Sequence, residues 1–215
     1  MPLDPATCST LLVYGGSFDP PHRAHIALPH AAAEQIGPLP GAGILYIPAG
    51  QPPHKSRPMT AAHHRLAMLR LALEDSDRAA ISEIELNRAG PSYTVDTLRQ
   101  LHSQFPGATL RLLIGADMAA IFYQWRDPQA ILELAEPLVM MRAPADNESL
   151  LAMLPPGEAE AWRSRIVAVP PLDISSTELR TLLAAGDYQN PRLSAMLDAK
   201  VIQYIRVHHL YSAVV

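Results

Sequence analysis

The sequence predicts an α/β protein built on a doubly wound parallel sheet. Short apolar runs recur down the chain at residues 10–14 (TLLVY), 44–47 (ILYI), 110–114 (LRLLI), 138–141 (LVMM) and 166–169 (IVAV). They are near-continuously apolar, as strands buried on both faces are. Helix-like stretches separate them, and such alternation implies crossover connections and parallel pairing. A chain of 215 residues can bury the core of one such sheet.

The first strand ends at Gly15-Gly16. Residues 24–36 (AHIALPHAAAEQI) read as a helix, kinked at Pro29 and stopped by Gly37-Pro38. After the second strand, residues 48–60 are a loop by their Pro and Gly content. Residues 61–73 are helical, with Leu66, Met68, Leu69 and Leu73 as apolar positions, and residues 80–86 (AISEIEL) alternate like a strand. A loop at 88–92 leads to a helix over 95–105, capped near Ser92 or Thr94. Short helices are expected at 117–123 and 128–134. Residues 144–164, with Pro155-Pro156-Gly157, are the least regular part. A helix over 175–185 ends at Gly186, and a last helix spans about 197–207. Neither an internal repeat nor a strong boundary interrupts the pattern, so residues 1–215 are expected to form a single domain with a helical C-terminal part from about 173.

The formal net charge of −4 supplies no global positive field for nucleic acid or an acidic membrane. An anionic ligand would need local counter-charges. Cys8 is the single cysteine, which excludes a disulfide within the chain and fits a reducing compartment. The N-terminus has no basic region followed by an apolar one, and no run reaches the ~18 apolar residues of a membrane span. A cytoplasmic protein is expected, of open oligomeric state.

Ligands of doubly wound sheets sit beyond the carboxyl ends of the strands, so the loops that follow strands carry the functional signal. After the first strand comes GGSFDPPHRAH, residues 15–25. Gly15 and Gly16 permit a sharp turn and close backbone approach to a ligand. His22 and His25 stand near a helix start, whose free amides favour anions. The stretch is either a turn with two surface histidines or a grip for polyphosphate. No further zinc ligand stands at recognisable spacing, so no metal site is expected there.

The second loop, PAGQPPHKSRP (48–58), places His54 and Lys55 after two prolines. Lys55 is one of two lysines among 17 Lys and Arg. It is either a solvated lysine or a phosphate ligand. In RAGPSYTVDTL (88–98), Thr94 lies at a helix start, as an N-cap or as a holder of a carboxylate. In LIGADMAAIFYQW (113–125), Gly115 allows close approach. Asp117 there is a cap or a ribose ligand, and Trp125 a core residue or a platform for an aromatic ring. In DISSTELR (173–180), Ser175, Ser176 and Thr177 open a helix and Glu178 completes a capping box. The same hydroxyls and amides, with the Arg180 fork one turn in, suit an anion.

The opening string resembles the nucleotidylyltransferase signature GG(S/T)FDPPHxGH, and its FDPPH form resembles the bacterial nicotinate mononucleotide adenylyltransferases. The other four stretches are similar to that family's PNxxPPHK, RxGPSYTxDTL, IIGADxxxxxxxW and ISSTxIR, and the terminal VIQYIRVHHLY to its YIxxxxLY. The likeness runs from about residue 12 to 211 and lapses over 143–165. Ala24 stands where the family has Gly, with a slightly tighter nucleotide pocket expected; Ala49-Gly50 replace the usual Asn, and Leu179 an Ile.

The resemblance implies a Rossmann-like nucleotidyltransferase fold and transfer of the adenylyl group of ATP to nicotinate mononucleotide, giving deamido-NAD and pyrophosphate in NAD biosynthesis. By the same resemblance, ATP is bound by Gly15, Gly16, Ser17, Phe18, His22, His25, Gly115, Asp117, Ser175, Ser176, Thr177 and Arg180. The mononucleotide is bound by Ser17, Lys55, Tyr93, Thr94 and Trp125. His22, His25, Lys55 and Arg180 stabilise the moving charge, with Mg²⁺ brought by ATP. The implied partners are small molecules, not nucleic acid or membrane. The alternatives are nicotinamide mononucleotide or phosphopantetheine as acceptor, or a non-catalytic nucleotide-binding homologue. Class I aminoacyl-tRNA synthetases share an HxGH-like element, but the chain length and net charge tell against a tRNA-charging enzyme.

Overall fold

The computed structural model describes residues 8–37, 42–53, 58–142 and 147–212. Among these, six strands form one parallel sheet: β1 (Thr10–Gly16), β2 (Ala42–Pro48), β3 (Ala79–Ile81), β4 (Thr109–Gly115), β5 (Glu136–Arg142) and β6 (Ile166–Val169), in the order β3-β2-β1-β4-β5-β6. The chain starts in mid-sheet, builds to one edge, then crosses back and builds to the other. The reversal between β1 and β4 opens a crevice beyond their carboxyl ends.

Successive strand residues point to opposite faces, so each apolar run feeds two cores. Leu12, Ile44, Tyr46, Leu113, Leu138, Met140 and Val167 pack with helices α1 (Arg23–Gln35), α2 (Ala62–Ala72), α8 (Ser176–Ala184), α9 (Pro191–Met196) and α10 (Ala199–Val207). Leu11, Val13, Leu45, Ile47, Leu112, Ile114 and Val139 pack with α3 (Thr94–Gln104), α4 (Ala116–Ala120), α5 (Pro128–Leu134), α6 (Asn147–Leu151) and α7 (Ala159–Arg163). Both faces are covered, which is why the runs lack polar alternation.

Helix α1 continues through Pro29, whose ring is buried. A proline cannot donate to the carbonyl four residues back. Here that carbonyl belongs to His25, and the Tyr46 hydroxyl donates to it at 3.2 Å. Burial pushes the Tyr46 phenol far up, so it remains a donor.

Four expected elements differ from those observed. The strand read over 80–86 is only β3, an edge strand that pairs with β2 as far as Ile81; the chain then turns, with Asn87 N–H donating to Glu83 O at 3.0 Å. The helix at 117–123 is α4 followed by a 3-10 turn, Phe122–Gln124. The last helix stands as α10, started two residues later than expected because Leu197 is extended and the Asp198 carboxylate accepts from Lys200 N–H, and a further short helix, α9, precedes it. The irregular stretch contains α6 and α7. Its anchor is Trp162, fully buried, with its indole N–H donating to the Tyr123 hydroxyl at 3.1 Å and its ring edge-on to Phe122. Cys8 is buried near Thr10; burial pushes its thiol up, as suits a packing residue.

Truncating a fully buried indole leaves a cavity and removes the N–H that donates to the Tyr123 hydroxyl. Trp162→Ala is expected to cost about 3–5 kcal/mol, read as a lower urea midpoint with an unchanged denaturant slope.

Candidate active site

A cleft of about 500 Å³ opens beyond the carboxyl ends of β1, β2 and β4. Its floor is Gly15, Gly16, Ser17, Ile47, Ala49, Ile114 and Gly115, its walls His25, the start of α3, Asp117 and Trp125.

The loop after β1 is held by burial. Phe18 is fully buried with φ 47°, a backbone conformation costing a non-glycine residue about 1–3 kcal/mol. Its ring packs edge-on to Tyr14 and His25. A Cβ on Gly16 would stand 3.0 Å from that ring, so a side chain here would press the ring out of place. Phe18 was expected to bind nucleotide; its side chain belongs to the core and does not line the cleft.

His22 is the N-cap of α1 and is buried, and His25 is three residues on. The His22 N–H donates to His25 Nδ1 at 3.1 Å, and the two rings stack with centroids 3.6 Å apart. With Nδ1 accepting, a neutral His25 carries its proton on Nε2. Ala24 is buried in the core and is not among the residues that line the cleft, so the tighter pocket expected from its methyl group is not seen there.

Asp19 is fully buried and gathers distant chain. It accepts from the Tyr211 hydroxyl at 2.7 Å and from Thr60 N–H at 3.4 Å, while its own carbonyl accepts from Arg180 Nη1 at 2.9 Å. Burial raises the Tyr211 phenol, which therefore stays a donor. Arg180 Nη2 also donates to Thr177 Oγ1 at 2.9 Å. The helix start at Ser175, Ser176 and Thr177 is thereby docked on the turn that precedes the two histidines. Ser175 caps α8 by accepting from Glu178 N–H at 3.1 Å. The expected capping box is half formed, because the Glu178 carboxylate pairs with Arg192.

Beside this turn lies a buried cation that sequence reasoning missed. Arg65 is 1% exposed and donates to three carbonyls: Ser17 O and Ala49 O at 2.8 Å and Thr60 O at 2.9 Å. Burial pulls the guanidinium down, and the charge of Asp19 opposes that pull. The available signal was its place three and four residues before Met68 and Leu69, on the apolar face of α2.

The far end of the cleft is built on α3. Tyr93 is its extended N-cap position, and among the described residues no side chain caps the first amides, those of Thr94 and Val95. The buried Ser92 hydroxyl accepts from Gly50 N–H and Gln51 N–H, both at 3.0 Å, tying the second loop to this helix. A Cβ on Gly50 would lie 2.4 Å from Glu85 O, so this joint admits only glycine. The carboxylate of Glu85 accepts from Thr97 Oγ1 at 2.7 Å. Asp117 is not a cap: Gly115 holds that position, and Asp117 Oδ1 fills the space a Cβ there would need. Trp125 packs on Phe122 and still lines the cleft, combining both expectations for it. His54 and Lys55 lie outside the described residues.

A family model described as cytidylyltransferase-like matches residues 13–182. A protein of Chromobacterium violaceum named probable nicotinate-nucleotide adenylyltransferase is 38% identical, over 93% of this chain and 97% of its own. A protein of the same name from Roseiflexus is 42% identical, over 93% and 96%. The chain belongs to the nicotinate-nucleotide adenylyltransferase family. The fold agrees: Plasmodium falciparum nicotinic acid mononucleotide adenylyltransferase complexed with NaAD superposes with a TM-score of 0.72 at 21% identity, over 94% of this chain and 97% of that one. The family match spans the turn after β1, the start of α3 and the Asp117 loop, which line the cleft, and the start of α8, which does not line it but is docked on the turn after β1 through Arg180.

Arg65→Met would remove three hydrogen bonds and leave the carbonyls of Ser17, Ala49 and Thr60 without that donor. A loss of about 3–5 kcal/mol is expected, measured by urea unfolding, whereas Arg65→Lys should recover part of it.

Proposed function

We propose that the cleft joins ATP to nicotinate mononucleotide: a phosphate oxygen of the mononucleotide forms a bond to the α-phosphorus of ATP, the bond to the β-phosphate oxygen breaks, and pyrophosphate leaves. The observation that carries this reading is the bond from Arg180 to Asp19 O. It docks the start of α8, with its hydroxyls, on the turn that leads into α1 and its stacked histidines; His25 of that pair lines a cleft that also offers an aromatic face and the start of α3. Phosphates suit the helix starts and a planar ring the aromatic face.

The attacking phosphate is already anionic near neutral pH, so no strong base is required. Rate comes from alignment and from donors placed where charge gathers on the leaving pyrophosphate. His25 Nε2, the α1 amides, the Ser176 and Thr177 hydroxyls and Arg180 are assigned that work, with Lys55 added from the second loop. Gly15, Gly16 and Ser17 let the nucleotide approach the end of β1, and Asp117 faces its ribose. Tyr93, Thr94 and Trp125 hold the pyridine. Mg²⁺ bound to ATP would neutralise phosphate charge. Among the described residues no group of three or more His, Cys, Asp or Glu side chains is placed to hold a metal, which suits an ion carried by phosphates and water. We read the chain as one cytoplasmic nucleotidyltransferase domain; among the described residues no helix is long and apolar enough to cross a membrane.

Pyrophosphate release from ATP plus nicotinate mononucleotide tests the activity directly, and its absence would favour a non-catalytic nucleotide binder. His25→Ala should lower turnover by about a hundred- to a thousandfold while unfolding cooperatively like the parent. Near-normal turnover would remove His25 from the mechanism.

A further inference from the structure

Arg126 follows Trp125 and is the one Lys or Arg side chain among the described residues that line the cleft. Its guanidinium lies over the Tyr93 ring, 4.5 Å from the centroid, a contact that holds a long exposed side chain at the cleft mouth. It has no hydrogen-bond or ion-pair partner among the described residues. The carboxylates nearby are engaged elsewhere. Asp127 and Asp96 both pair with Arg99, at 2.9 and 3.4 Å, and Glu85 accepts from Thr97. A cation is therefore kept in place at the ring end of the cleft with its donors unused, beside the uncapped amides of Thr94 and Val95.

Building on the reading that the cleft takes a pyridine mononucleotide, we infer that Arg126 is a specificity-determining residue: its guanidinium, with the α3 amides, grips the ring carboxylate and selects the acid over the amide. A guanidinium fork fits a planar carboxylate with two parallel charge-assisted bonds. A carboxamide is neutral, offers one acceptor oxygen and turns its NH₂ donors toward N–H groups that cannot accept. Discrimination then comes from donors left unpaired by the wrong acceptor.

The test uses the full chain at saturating ATP. Pyrophosphate release is followed with nicotinate mononucleotide and, separately, nicotinamide mononucleotide, for the parent, Arg126→Gln and Arg126→Lys. In Arg126→Gln the ratio of kcat/KM, acid over amide, should fall between about tenfold and about a hundredfold, chiefly through a raised KM for the acid. Arg126→Lys should keep part of the ratio. A ratio within about twofold of the parent's, or an equal loss on both acceptors, overturns the inference alone, given a parent active on the acid. A parent inactive on the acid overturns the functional reading and this inference with it.

Discussion

The buried guanidinium of Arg65 is the constraint on which the site depends. At the carboxyl end of a parallel sheet, strand carbonyls run out of neighbours, and buried carbonyls without partners are costly. Arg65 supplies the missing donors to the loops after β1 and β2 and to Thr60 at once. Its own charge is expensive to bury, and that cost is offset by Asp19, itself fully buried. Asp19 in turn draws in Tyr211 and Thr60 through its carboxylate and Arg180 through its carbonyl. One charge pair thus sets the turn after β1, the loop after β2 and the starts of α1 and α8 in fixed relation.

That relation explains why structural and chemical roles fall on the same residues. His22 begins α1, and His25 completes the cap by accepting its N–H. Pro29 would leave the His25 carbonyl bare, and the Tyr46 hydroxyl from β2 takes its place. The ring of His25 is held between stacking on His22 and the edge contact with Phe18. Preorganisation of this kind needs no rearrangement when charge develops, the condition under which donors contribute most to rate. Elsewhere on the cleft, Ser92, Gly50 and Glu85 lock the second loop to α3.

The parallel sheet was legible because strands covered on both faces must be apolar throughout, a signal that survives without any knowledge of neighbours. The loops that carry the site were legible for a related reason: glycines and prolines have local backbone consequences, and the helix starts at Thr94 and Ser175 announce themselves by residue type. Local signals failed where a neighbour decided the outcome. The alternation of residues 80–86 suited a strand, but β2 offers pairing only as far as Ile81, and Glu85 turns inward to Thr97. The irregular region hid α7 because its one strong anchor, Trp162, is defined by what surrounds it. Ala24 drew attention as a departure in the nucleotide grip, yet its methyl group faces the core.

From sequence alone came the fold class, the order of elements, the five loops and the residue types that suit phosphate and a planar ring. All of these follow from periodicity, backbone preference and side-chain chemistry, which act within a few residues. Only the tertiary structure decided which groups satisfy one another. Asp19 meets Tyr211 across 192 residues and Arg180 across 161, Arg65 is a buried hub, and the Arg126 guanidinium lies over the Tyr93 ring with no hydrogen-bond partner among the described residues. Such pairings are set by desolvation: a charge or carbonyl taken out of water must find a partner, and which partner is near depends on the packing of the whole chain.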